Sequence, residues 1–200
     1  YFEDFEDGEF ACAQNLYPAF KWQIADDSGN SALKCAAVNE DETICGNSIY
    51  TLAVGDTSWE DYTLSFEFRL TQGAMISFAP YMETNVDTSD GSQMFDSADP
   101  WILTITSEGE LWYETMFSRG THSICTLDGF VADGWNSVRL TPEGTKLMMS
   151  FNGAEIGAVA ELADGASGRI GIGGTVGLMI DNISAWGLTF QADGVKISLH

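Results

Sequence analysis

The chain has 200 residues, 44% of them hydrophobic and 12% aromatic, with 30 Asp plus Glu against 8 Lys plus Arg. A net charge of −22 sets it against nucleic acid and anionic lipid, because both repel such a surface and no Lys/Arg cluster offsets the repulsion. Neutral sugars and divalent cations remain natural ligands.

Four prolines and 21 glycines are spread along the chain, with no low-complexity block between two halves, so one domain is expected. No stretch approaches the roughly 18 to 20 apolar residues that span a bilayer, and no basic start precedes an apolar run. A soluble chain is expected, with any export signal removed or outside it. The cysteines, Cys12, Cys35, Cys45 and Cys125, show no CxxC spacing, which argues against a zinc ribbon or a thioredoxin motif. If they are oxidised, Cys35 with Cys45 is the favoured pair, since the Asn/Asp/Glu-rich turn between them can fold them together.

The first ten residues, "YFEDFEDGEF", hold five acids, where repulsion would favour spreading them. A cation among them is one account. Period-two alternation then recurs along the chain, and no long segment repeats at helical spacing. Early strands are expected at 31–38 and 49–54. In "DYTLSFEFRL", Tyr62, Leu64, Phe66, Phe68 and Leu70 point one way, and Thr63, Ser65, Glu67 and Arg69 the other. Further strands follow at 74–82, 101–107, 110–117, 136–141, 146–151, 154–160, 168–173 and 176–187. The segments "SEGE" (107–110), "PEGT" (142–145), "FNGAEI" (151–156) and "ADGASG" (163–168) separate them as turns. Ten or more antiparallel strands split into two packed sheets, so the expected fold is an all-β jelly-roll β-sandwich over residues 1–187. Residues 188–200 are expected to form an extra edge strand or a linker.

In order and spacing, "FEDFEDGEF", "TLAVGDTSWEDYTLSFEFRL", "PWILTITSEGELWYE", "GWNSVRLTPEGTKLMMSFNGAEIGAV", "GRIGIGG" and "IDNISAW" resemble the concanavalin A-like lectin/glucanase superfamily. More narrowly they resemble the C-terminal lectin-like domain of galactocerebrosidase-type glycoside hydrolases. The first and last strands of such a sandwich lie side by side, which brings Asp4 near Asp181. The two carboxylates can then share a calcium ion, completed by backbone carbonyls and water. The resemblance implies the same structural calcium, with the carbonyl of Glu6 and one near Ser31 as further ligands. Glu3, Glu6 and Asp7 are alternatives for the side-chain ligand, and a solvated acidic edge is the plainer reading of the whole cluster.

Six tryptophans invite a sugar-platform reading, although most Trp residues in a sandwich pack its core. Trp59, Trp135 and Trp186 sit at family landmarks and read as structural. Trp112, in "ELWYETM", shares a strand face with Glu110 and Glu114, opposite Leu111, Tyr113 and Thr115, so it is expected on an exposed sheet surface. Trp101 at a strand start, and Trp22 and Tyr81 in or beside loops, are further candidates, with Arg119 and His122 as donors to sugar hydroxyls. Each of them also has a packing reading. Glycoside hydrolysis needs two carboxylates about 5–10 Å apart across a cleft, which 30 acids supply by chance. The ExDxE run of glucanases on this fold is not reproduced. In the galactocerebrosidase-like enzymes the catalytic acids belong to a separate barrel domain. The resemblance therefore implies a non-catalytic, calcium-stabilised carbohydrate-binding module of a secreted protein, with a neutral glycan as partner, galactose-containing glycans being the first candidates. The alternative is an accessory domain packed on a catalytic barrel without sugar affinity of its own.

Overall fold

A computed structural model describes residues 1–9, 13–15, 21–36, 52–82, 84–85, 94–95, 101–115, 120–163, 166–187, 189–192 and 195–198. The described strands begin with β1 (Phe2–Glu3), β2 (Ala13–Asn15), β3 (Lys21–Asp26), β4 (Ser31–Ala36), β5 (Leu52–Val54), β6 (Trp59–Glu60) and β7 (Thr63–Leu70). They continue with β8 (Met75–Met82), β9 (Thr84–Asn85), β10 (Met94–Phe95), β11 (Trp101–Thr106), β12 (Glu110–Thr115), β13 (Thr121–Thr126) and β14 (Trp135–Glu143). The last are β15 (Lys146–Phe151), β16 (Ala154–Glu161), β17 (Arg169–Gly174), β18 (Leu178–Trp186), β19 (Thr189–Ala192) and β20 (Val195–Ser198).

Two antiparallel sheets face each other. The first runs β16-β15-β14-β7-β18-β4-β3, with β1 also on β18; the second runs β13-β12-β11-β8-β17-β5-β2. This is the expected all-β sandwich. Alternation in β7 puts Leu64, Phe66, Phe68 and Leu70 into the core at 0 to 1% exposure, while Ser65, Glu67 and Arg69 face out. Phe66 meets Phe78 of the other sheet edge-on at 5.1 Å, an arrangement that aromatic pairs favour. The hairpin at Asn152–Gly153 has positive φ at both residues, as a tight two-residue turn requires. In the C-terminal segment, β19 and β20 form a small sheet with β6.

Three sequence expectations change. The segment Lys21–Asp26 is an edge strand and Trp22 lies within it, 6% exposed in the core, not in a loop. Its two large apolar residues, Trp22 and Ile24, are too short a pattern to announce a strand. β13 was also missed, because its outer-edge position leaves "THSICT" without clean alternation and a bulge opposite Leu111 and Trp112 interrupts what remains. Trp186, read as structural, is 41% exposed, whereas Trp59 is buried as expected. Cys35 is disulfide-bonded, and the expected partner Cys45 lies outside the described residues. Cys125 is a free thiol.

Candidate functional site

The alternation in β12 resolves as expected. Leu111 is fully buried and Tyr113 packs against the core, so Trp112 faces outward and is half-exposed. Pairing across β13, β12, β11, β8 and β17 sets Ser123, Trp112, Thr104, Ser77 and Gly173 in one row; its Thr104 and Ser77 end is buried at 6% exposure, and its open end is Trp112 and Ser123. Thr104 and Ser77 share a hydrogen bond of 2.9 Å between their hydroxyls. The indole N–H of Trp112 donates to Glu110 at 3.2 Å, which steadies the ring on the sheet. Beside this row, Glu114 pairs with Ile102 on one side and Thr121 on the other. An aromatic ring flanked by the exposed Ser123 hydroxyl and two carboxylates can stack on a sugar ring and accept hydrogen bonds from its hydroxyls.

The other aromatic candidates do not join it. Trp101 shares the inward face with Tyr113, and the two rings stack at 6.1 Å with an 18° interplanar angle. His122 pairs with Tyr113 on β12 and lines a cleft of about 600 Å³ at the open edge between the sheets. Tyr113, Ile124, Lys146, Val159 and Glu161 line the same cleft. Tyr81 is bound to Tyr62 by two hydrogen bonds, and burial pushes its hydroxyl well above the ordinary tyrosine range. Arg119 lies outside the described residues.

The acidic start has a definite local structure. Phe5, at φ 58°, turns its ring into the core with no exposed surface. The carboxylates of Glu3, Asp4 and Asp7 accept the backbone N–H groups of Phe5, Glu6 and Glu9, so the acids hold this turn together. β1 lies against β18, pairing Glu3 with Ile183, so the first and last landmarks are neighbours. Glu6 accepts the N–H of Ser31 at 2.8 Å. Asp181, 2% exposed, accepts from the Asn30 amide at 2.8 Å and from the N–H of Asn182 at 2.7 Å. A bulge in β18 with Asn182 at φ 51° lets the Asn182 amide donate to Glu67, the cross-strand partner of Asp181. Burial pushes the Asp181 carboxyl above its usual range, the two N–H donors pull it back in part, and the charges of Glu67 and Glu6 push it further up.

Glu6, Ser31 and Asp181 are thus brought together, and Asp4 is tied to them through the Glu6 N–H. Asn30 and Glu67 complete the cluster and were not singled out from the sequence; only the β3–β4 turn and the β7–β18 register reveal them. The carboxylate oxygens are hard ligands of the kind calcium takes, and here those of Asp181, Glu6 and Asp4 accept N–H groups. Among the described residues, no three His, Cys, Asp or Glu side chains converge as a metal site by themselves. Carbonyls and water would therefore have to complete a coordination shell.

No family model matches this chain, and no curated protein does. Solved structures do match in fold. A carbohydrate-binding module, CBM66, from Bacillus subtilis is 9% identical with a TM-score of 0.50, over 87% of this chain and 94% of that one. A Bacillus subtilis protein of unknown function with a galectin-like fold is 12% identical with a TM-score of 0.55, over 96% of this chain and 100% of that one. A sialidase is 12% identical with a TM-score of 0.56, over 92% of this chain but 18% of that one. Together with the sheet order, these likenesses show the fold: a two-sheet, galectin-like jelly-roll sandwich.

Proposed function

We propose that this chain is a lectin-like carbohydrate-binding module without catalytic activity of its own, and that the outward face around Trp112 holds a neutral, galactose-containing glycan. The observation that carries this reading is the half-exposed Trp112 ring, held by Glu110 and flanked by Glu114 and the exposed Ser123. The module of similar fold from Bacillus subtilis is itself named for carbohydrate binding, which supports the class. A sugar ring stacks on the indole while Glu110, Glu114 and Ser123 meet its hydroxyls. Calorimetric titration of wild type and Trp112→Ala with galactose- and glucose-based oligosaccharides tests it.

Calcium is part of the proposal. Asp181 and Glu6 would hold it, with Asp4 and backbone carbonyls near Ser31 as further oxygens. Bound there, the ion would neutralise the buried Asp181 charge and tie the N-terminal turn, the β3–β4 turn and β18 together. By its resemblance to galactocerebrosidase-type hydrolases, the module belongs to a secreted glycan-degrading protein. A second reading, an accessory domain packed on a catalytic barrel, is favoured by one observation: the matching sialidase is a far longer chain in which this fold is a small part. Binding of the isolated chain to a glycan separates the two readings.

A further inference from the structure

The outward face of the other sheet carries a second aromatic surface. Register lines up Phe2, Ser184, Ser65, Arg139, Ser150 and Glu155 in one row across β1, β18, β7, β14, β15 and β16. Trp186 stands two residues along β18 from Ser184, on the same face, and is therefore a diagonal neighbour of Phe2. Phe2 is 62% exposed and Trp186 41%, whereas the other large hydrophobics among the described residues are drawn in, Val131 excepted. The Arg139 guanidinium lies 5.0 Å from the centroid of the Trp186 ring, a cation–π contact that orients both side chains.

The chemistry of the face selects its occupant. A second copy of this chain, a nucleic acid or an anionic membrane would each bring negative charge to a molecule already at −22. A protein contact of the usual kind has an apolar centre with a polar rim. Here two aromatic rings sit directly beside the hydroxyls of Ser184 and Ser65, and Arg139 supplies fixed donors. That mixture matches a pyranose, which offers an apolar ring face and a hydroxyl edge. We propose that this face is a second glycan-binding surface, stacking neutral sugar rings on Trp186 and Phe2 and hydrogen-bonding them through Arg139 and the serines. It rests on the reading of the chain as a carbohydrate-binding module. It adds that one chain holds two glycans. Trp112 and Trp186 point away from each other on sheets that pack about 10 Å apart, so no single sugar reaches both and the monomer bridges two glycan chains.

The test uses the 200-residue chain with soluble galactan and β-glucan, read by affinity electrophoresis and by light scattering of the mixtures. Wild type should be retarded and should cross-link the polysaccharide into growing particles. Trp186→Ala should abolish the growth and weaken retardation about ten-fold, while a short oligosaccharide still binds at the Trp112 face. Trp112→Ala should retain weak binding that adding Trp186→Ala removes. If Trp186→Ala cross-links and is retarded as wild type is, the second face is overturned and the module reading stands; such a face would then belong to a protein neighbour. If wild type binds no polysaccharide, both readings fall. Arg139→Gln and Phe2→Ser carry the same test should Trp186→Ala lower the melting temperature.

Discussion

The hydroxyl of Tyr62 accepts the backbone N–H of Tyr81 at 2.8 Å, and the hydroxyl of Tyr81 donates to the backbone carbonyl of Tyr62 at 2.8 Å. Their rings lie 4.5 Å apart, and Tyr62 is 1% exposed. This reciprocal pair fastens the start of β7 to the end of β8 across the two sheets. Tyr62→Phe leaves the Tyr81 N–H without its acceptor and should cost about 1–3 kcal/mol in denaturant unfolding. Tyr81→Phe should also destabilise without altering glycan affinity, which calorimetry on the same variant checks.

Asn136 is 2% exposed, and its amide accepts from the Val131 N–H while donating to the carbonyls of Val131 and Gly134. Asn152 reaches from the β15–β16 turn to donate to the side-chain Oδ1 of Asn136 and to the backbone carbonyl of Gly129. Replacing Asn136 with Leu strands several backbone groups and should cost about 2–4 kcal/mol, more than Asn152→Ala at the rim. Urea midpoints of the two variants measure the difference.

Calcium should raise the melting temperature, since an ion bound only by the folded chain adds RT ln(1 + [L]/Kd), about 1.4 kcal/mol at ten times Kd. Asp181→Asn should remove that response. In chelated protein the same variant should melt higher than wild type, because it deletes a buried charge that faces Glu67 and Glu6. An unchanged calcium response in Asp181→Asn would count against the site.

Burial, with the charge of Asp128 behind it, holds the Cys125 thiol above its usual range. Iodoacetamide at pH 7 should therefore label Cys125 slowly in the native chain and faster as pH rises, since only the thiolate attacks. Cys35 should be labelled only after reduction, as it is disulfide-bonded. Peptide mapping by mass spectrometry reads both sites.

Much of the sandwich was legible because its central strands are two-faced: β7, β14, β15 and β18 announce themselves by alternation, and the same rule set Trp112 outward and Tyr113 inward. Edge strands β3 and β13 were not legible, since one neighbour and a bulge relax the demand for alternation. What a strand pattern cannot tell is which residues face one another across strands. Hence Trp101 was grouped with Trp112 although they lie on opposite faces of one sheet, and Arg139 was not connected to Trp186. The acidic start was legible as unusual, but its local purpose, Glu3, Asp4 and Asp7 holding the Phe5 turn, needed the backbone geometry.

Glycan binding by the Trp112 face is tested most directly by paired titrations and melts of Trp112→Ala and Tyr113→Ala against wild type. Trp112→Ala should keep the wild-type melting temperature and lose about 1–3 kcal/mol of affinity for the oligosaccharide that wild type binds. Tyr113→Ala, which removes a ring stacked on Trp101 and packed against the core, should lower stability by several kcal/mol. Glycan affinity in Trp112→Ala equal to that of wild type would contradict the account.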